Sequence, residues 1–578
     1  HGGLTWGLER NPDVNDASQN PQPLAVPQQE LPPPSLPFDF DDLDRFALAG
    51  LGKAMAGLSP VAIALAFSDW WLHLAAAPGK RMALAKQGRR TAAEWMLRAG
   101  ADVWSSPAPS HAGDRSKSDP RFSGEEWDRP PFRSWADAFC AVEDWWAAAT
   151  HDVLGVSPHH AEVMAFAARQ WLDMWSPSNS PLMNPAVIER TVREGGANLV
   201  RGAQIWLDDA KRLTAGEPPA GVENFAVGKT VAVTPGKVVF RNRLIELIQY
   251  APAGDTVHPE PILIVPAWIM KYYILDLSPQ NSMIKYLVDQ GFTVFCISWR
   301  NVTAEDRDLS LEDYRQLGVM AALDAIAAIV LERRVHATGY CLGGTLLSIA
   351  AAAMAEADDD RLRSITLFAA QTDFTEPGGL QLFIDDSQVA LLEALMWKNG
   401  TLASSQMSGT FQLLKSNDLI WSHMIHDYFM GERTPMVDLM AWNADATRMP
   451  YRMHSDYLRK LFLRNDLASG RYMVNGNAIA VQNIRAPIFV VGTERDDVAP
   501  WKSVYKIHYL ADTEVTFALT NGGHNAGIVS EPGHPRRHFR LLTKAACDPC
   551  LSAEEWLEAA PQQEGSWGPT WTAWLATH

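Results

Sequence analysis

A thiol, a carboxylate and an imidazole follow one another in this sequence, at Cys341 in "GYCLGGTL", Asp496 in "GTERDDVAP" and His524 in "TNGGHNAG". Cysteine attacks as the thiolate, so it needs a base to take its proton, and a histidine base needs an acid to orient its ring. Nucleophile, acid and histidine in that chain order would suffice for covalent catalysis at an acyl carbon. Asp497 adjoins Asp496, and the pattern alone leaves the choice between the two open. His534 and His538 also lie near the C-terminus, but only His524 directly follows a predicted strand.

The elements that must position these groups are readable as well. "RRVHATGY" predicts a strand, Gly339-Tyr340-Cys341-Leu342-Gly343 a sharp turn, and the Ala/Leu run after it a helix. This is the strand, turn and helix of a nucleophile elbow, with Cys where most carry Ser. The elbow offers the Leu342 N–H to a developing oxyanion, and a second donor is expected in the loop "VPAWIMKYY", at Ile269.

Around the elbow, "PILIVPAW", "FTVFCISW", "RSITLFAA", "APIFVVGTERDD" and "TEVTFALTNGG" predict further strands, with helical segments between the earlier ones. Such alternation gives βαβ crossovers and a mostly parallel sheet. The expected fold class is therefore α/β, an α/β-hydrolase fold with a cap insertion at about 372–475, preceded by a mainly helical domain. The boundaries read as a mobile Pro-rich extension over 1–37, a helical domain over 38–215 and a catalytic domain over 216–578. At the start of the last, "TVAVTPGKVVFRNRLIELIQYAPA" predicts two or three short strands around a Pro-Gly turn.

Composition narrows the classes. The 578 residues carry a formal charge of −17, which repels phosphate backbones and argues against nucleic-acid binding. The cysteines, Cys140, Cys296, Cys341, Cys547 and Cys550, are odd in number and mostly far apart, as in a reducing compartment. The lone CxxC at 547–550 lacks a second ligand pair for zinc, and no metal is expected. The most apolar stretch, 58–77, is interrupted by Asp69 and His73, so no transmembrane segment is expected and the reading is cytoplasmic. The helical region is crowded with Trp, which predicts either core packing or an apolar surface for a hydrophobic partner or second copy.

Several long stretches then resemble one family. "VPAWIMKYYILDLSPQNSMIKYLVDQGFTVFCISWRN", "GYCLGGTL", "NDLIWSHMIHDYFMGERTPMVDLMAWNADATRMP", "GTERDDVAPW", "GGHNAGIVSEP" and "GSWGPTWTAWL" are similar to polyhydroxyalkanoate synthases, most closely the single-subunit class I enzymes. "DPRFSGEEWDRPPF" and "ARQWLDMWSPSNSPLMNP" extend the resemblance into the helical region. It implies a Cys341, Asp496 and His524 triad; Asp496 is preferred because the family Asp stands four positions before "PW". Asp497 then departs from the family, whose members often carry His there. Asp276 in "YYILDL" matches a recurrent family Asp, read as structural.

The resemblance also implies why sulfur is used. The substrate would be (R)-3-hydroxyacyl-CoA, expected to be short-chain. Attack by Cys341 exchanges one thioester for another, so the acyl group stays activated for the 3-hydroxyl of the next monomer. Coenzyme A enters as part of the substrate and leaves as product, and no other cofactor is expected. Expected partners are the growing polyester chain, the granule surface and a second copy in a homodimer. The competing readings are a Cys-dependent α/β hydrolase and a non-catalytic granule-coat protein.

Overall fold

The computed structural model describes residues 40–55, 57–104, 115–530 and 532–578, so the extension expected over 1–37 lies outside the described residues. The chain divides into two units between Asp44 and Arg45, and the second holds the sheet and the candidate triad.

The centre of this unit is a 10-stranded sheet. Its strands are β1 (Gly236–Arg241), β2 (Ile245–Tyr250), β3 (Ile262–Val265), β4 (Val294–Trp299), β5 (Val335–Tyr340), β6 (Leu362–Phe368), β7 (Ile488–Thr493), β8 (Val515–Thr520), β9 (His538–Lys544) and β10 (Gln562–Glu564). They lie in the order β1-β2-β4-β3-β5-β6-β7-β8-β9-β10. From β4 to β8 every neighbouring pair is parallel, and the pairs at each edge are antiparallel. This is the α/β-hydrolase fold.

Residue type explains the sheet. β3 reads Ile-Leu-Ile-Val, and β5, β7 and β8 are buried along their whole length, as strands covered on both faces must be. Side chains alternate in direction, so Leu263 and Val265 enter one hydrophobic core and Ile262 and Ile264 the other. Each such side chain contributes roughly 1.5–3 kcal/mol relative to an exposed one.

Two local expectations are corrected. The β1–β2 connection is not made at Pro235-Gly236, which opens β1. It is made at Asn242, whose Oδ1 accepts from the N–H groups of Leu244 at 2.8 Å and Ile245 at 2.9 Å. The helix predicted through "LEDYRQLGVMAALDAIAAIVLER" is interrupted by a π segment, Tyr314–Met320. There Gly318 lies so close to the Trp299 ring that a Cβ would come within 2.4 Å of it.

Before the sheet the chain is mainly helical, with helices including Pro60–Ala76, Pro78–Trp104, Phe132–Thr150, Pro158–Asp173, Pro185–Arg193 and Ala197–Ala215. Their charged centre is Arg121, which donates to Glu143 at 2.7 Å, Asp119 at 2.7 Å and Asp173 at 3.2 Å while only 8% exposed. Asp119, Cys140 and Glu143 would suit a cation by distance, and the guanidinium already supplies positive charge there.

Trp70 and Trp127 are core residues, whereas Trp71, Trp171, Trp175 and Trp206 are each more than half exposed. Core packing thus accounts for the first two, and the other four lie at the surface. Among the described residues no single helix is long and apolar enough to cross a membrane; Pro60–Ala76 and Pro78–Leu97 pass that test only as a pair bent by 90°.

Between β6 and β7 lies a long insertion of helices with two small antiparallel strand pairs, Thr401–Leu402 with Met449–Pro450 and the hairpin Tyr472–Val474 with Asn477–Ile479. It packs on the helical region. The buried Asn198 donates to the Phe429 carbonyl at 2.7 Å, and Arg433 to Asp209 at 2.7 Å.

Candidate active site

Cys341 sits between β5 and the helix Leu342–Glu356, with φ 52° and ψ −122°. A non-glycine residue at positive φ is strained and persists only where its surroundings over-determine it. Here the Cys341 N–H donates to the Phe368 carbonyl at 2.8 Å, at the end of β6. The glycines of the motif are required by close approach. A Cβ on Gly343 would lie 2.0 Å from the Val265 carbonyl oxygen, and one on Gly339 2.3 Å from the Gly344 Cα. Leu342 is the first residue of the helix, so its N–H has no carbonyl one turn earlier to bond.

The acid and the imidazole come from loops beyond neighbouring parallel strands, Asp496 after β7 and His524 after β8. His524 Nδ1 lies 2.8 Å from Asp496 Oδ2. Asp496 is buried, and its remaining bonds hold it still. Its Oδ1 accepts from the N–H groups of Val498 at 2.9 Å and Ala499 at 2.8 Å, and Oδ2 accepts from the Thr493 hydroxyl at 3.0 Å. Burial works against the carboxylate, but His524 and these donors outweigh it and hold the acid below its ordinary range.

With Nδ1 taken by Asp496, Nε2 is the ring nitrogen left to act as a base. Burial disfavours the imidazolium, but negative charge at Cys341 and Asp496, with the hydrogen bond to Asp496, lifts His524 to about 10. Tyr340 stacks on the ring at 5.8 Å and its hydroxyl donates to Asn525, which fixes the loop. Asp497 does not join this set; it is exposed and pairs with Lys415.

Ile269 lies in the loop after β3. That loop is anchored from the sheet by Trp299, which donates to the Pro266 carbonyl at 2.8 Å. From the insertion, Thr447 N–H donates to the Ile269 carbonyl at 3.1 Å and Trp442 to that of Lys271 at 2.9 Å. Asp276, buried, accepts from the hydroxyls of Thr234 at 2.5 Å and Ser282 at 2.7 Å, a structural junction away from these groups.

Cys341, Leu342 and Ile269 share the wall of a mostly apolar cavity of about 100 Å³. The insertion supplies most of the remaining wall, including Leu380, Phe383, Phe411, His454 and Phe462. Sequence reasoning did not single out His454 or Tyr457; their segment, "YRMHSDY", follows no strand of the central sheet and matches no motif. Ordinary ligand pockets measure roughly 300–1,000 Å³, so this space is small beside them.

Comparison with known proteins bears on what this geometry serves. Residues 39–80 match the family described as Poly-beta-hydroxybutyrate polymerase N terminal, 118–287 the Poly-beta-hydroxybutyrate polymerase (PhaC) N-terminus, and 260–531 the alpha/beta hydrolase fold. The Poly(3-hydroxyalkanoate) polymerase of Methylorubrum extorquens is 39% identical over 79% of this chain and 76% of its own. The chain belongs to the poly(3-hydroxyalkanoate) polymerase family.

It is accordingly an acyltransferase. Polymerase subunits of Rhizobium meliloti and Cupriavidus necator are 38% and 34% identical, covering 82% and 79% of this chain and 79% and 78% of theirs. A solved monoacylglycerol lipase of Paleococcus ferrophilus has 12% identity and a TM-score of 0.31, covering 48% of this chain and 90% of its own, too distant to bear on function. In this chain Cys547 and Cys550 are both free, and the Cys550 thiol donates to the His508 carbonyl at 3.0 Å.

Proposed function

We propose that the enzyme polymerises short-chain (R)-3-hydroxyacyl-CoA into polyester with release of CoA, through a Cys341-His524-Asp496 triad. The observation that carries this is the elbow cysteine, near enough to an Asp496-anchored imidazole for its charge to act on the ring, in the wall of a small apolar cavity.

In the first half-reaction His524 takes the thiol proton and the Cys341 sulfur bonds the thioester carbon. The bond to the CoA sulfur then breaks, and the proton leaves with CoA. In the second, His524 takes the proton of an incoming 3-hydroxyl, whose oxygen attacks the Cys341 thioester. The ester forms and the thiolate is regenerated. Asp496 holds the imidazole in orientation or assists the hydroxyl. The N–H groups of Leu342 and Ile269 meet the tetrahedral oxyanion. No cofactor beyond the CoA of the substrate takes part.

The insertion, from about 372 to 440, acts as a cap that excludes water, because hydrolysis would end the chain. It opens to admit CoA, which the cavity cannot hold closed. The enzyme works as a cytoplasmic homodimer on the polyester granule. Exposed Ile63, Leu65, Phe67, Trp71 and Leu72 on the helix Pro60–Ala76 support a surface role for the helical region.

The test is CoA release from (R)-3-hydroxybutyryl-CoA by wild type and Cys341→Ala, with the product examined. Release with polymer, lost in the mutant, is the expected result. Release with free hydroxy acid alone would make it a thioesterase. Normal release by Cys341→Ala would remove the nucleophile.

A further inference from the structure

His454 lies on the short helix Tyr451–Tyr457 of the insertion and lines the same cavity as Cys341. It is 3% exposed, and its Nδ1 has no hydrogen-bond partner. A buried polar atom left unpaired is costly, so it needs an explanation. Burial alone lowers this imidazole to about 4 and keeps it neutral, with no charged group acting on it. A neutral imidazole in an apolar wall suits a neutral polar ligand group.

Most other polar groups of the wall already have partners. The Thr345 hydroxyl donates to the Gln371 carbonyl at 2.7 Å, and the Gln371 amide to Ser503 at 3.0 Å. Gln406 accepts from the Ala403 N–H at 3.1 Å, and Thr410 donates to the Gln406 carbonyl at 3.1 Å. Tyr457 lines the same wall, and burial first, then charge at Cys341, raise its phenol above the ordinary range.

An acyl group in this cavity brings two polar groups. The thioester carbonyl is met by the backbone N–H groups of Leu342 and Ile269. The 3-hydroxyl has no such partner, and an unpaired hydroxyl in an apolar site is costly. We propose that His454 is a specificity residue, whose ring nitrogen pairs with the 3-hydroxyl of the acyl group on Cys341. A hydroxyl both donates and accepts, so it complements that nitrogen in either tautomer. Sites built around such a bond reject analogues that lack the hydroxyl, because their own polar group is then stranded. This assignment rests on the proposed acyl-transfer function.

The test is single-turnover acylation of Cys341, followed by intact mass, with (R)-3-hydroxybutyryl-CoA and with butyryl-CoA. Wild type is expected to prefer the hydroxylated substrate. His454→Leu should slow it roughly 10- to 100-fold while changing butyryl transfer less than about threefold, and His454→Gln should restore most of the preference. The melting temperature of ligand-free His454→Leu should not fall, since the change removes an unpaired polar atom. Equal slowing with both substrates, an unchanged preference, or a fall in melting temperature that accounts for the loss would overturn the assignment. Wild type that is acylated by both substrates at one rate would do so too. Wild type acylated by neither would instead remove the underlying acyl-transfer function, and this assignment with it.

Discussion

His524 Nδ1 meets Asp496 Oδ2 at 2.8 Å, while Asp497, the next residue, is exposed and paired with Lys415. Two adjacent carboxylates thus have different surroundings, and substitutions at them should separate. Asp496→Asn should lower CoA release by roughly 10²–10⁴, the range seen when an orienting acid is lost. Asp497→Asn breaks only an exposed ion pair of about 0–1 kcal/mol and should leave the rate within about twofold. Steady-state CoA release from both variants decides it, and a larger loss at Asp497 would reverse the assignment.

Gly343→Ala places a methyl group 2.0 Å from the Val265 oxygen and 2.7 Å from that of Pro266. Both are backbone atoms of a buried strand and its loop, which cannot swing aside. The enzyme should lose about 1–3 kcal/mol or more of stability, read as a lower urea midpoint, together with most of its activity. Unchanged midpoint and rate would mean that the elbow is looser than these distances require.

The His524 imidazolium is bound more tightly in the folded chain, at about 10, than in the unfolded one, at an ordinary value of about 6.5. Its stabilisation is complete below about pH 6.5 and is lost as pH rises through about 10. Asp496, held below its ordinary value of about 3.9, works in the other sense. Its contribution is complete above about pH 3.9 and lost as pH falls through the folded value. The difference in melting temperature between wild type and His524→Gln should therefore be largest near about pH 5–6.5 and close toward about pH 10. A gap that widens with rising pH would contradict the charge arrangement.

If the insertion must open for CoA, a bound substrate analogue should hold it closed. Limited proteolysis within 372–440 should then slow when a non-hydrolysable 3-hydroxybutyryl-CoA analogue is added. Equal cleavage with and without the analogue would count against a moving cap.

The groups at Cys341, Asp496 and His524 were legible because each directly follows a buried strand, where composition and turn residues speak clearly. Gly339 and Gly343 were legible because only glycine tolerates the backbone contacts found there. The π segment at Tyr314–Met320 was not, since the close approach of Gly318 to the Trp299 ring depends on a distant strand of the sheet. The Pro235-Gly236 pair misled because Pro is also suited to the entry of a strand, while Asn242 made the turn through its own side chain. His454 was invisible because its chemistry depends on a cavity wall assembled from distant segments. Which Trp residues are buried likewise depends on how the helices pack, and no local spacing encodes it.

The stack of Tyr340 on His524 joins positions 184 apart in the chain. A ribosome adds roughly 5–20 residues per second, so Cys341 is made roughly 10–40 s before the imidazole that would deprotonate it. Throughout that interval the nascent polypeptide carries a thiol with no base beside it. Such a thiol would gain its base only when β8 joins the sheet.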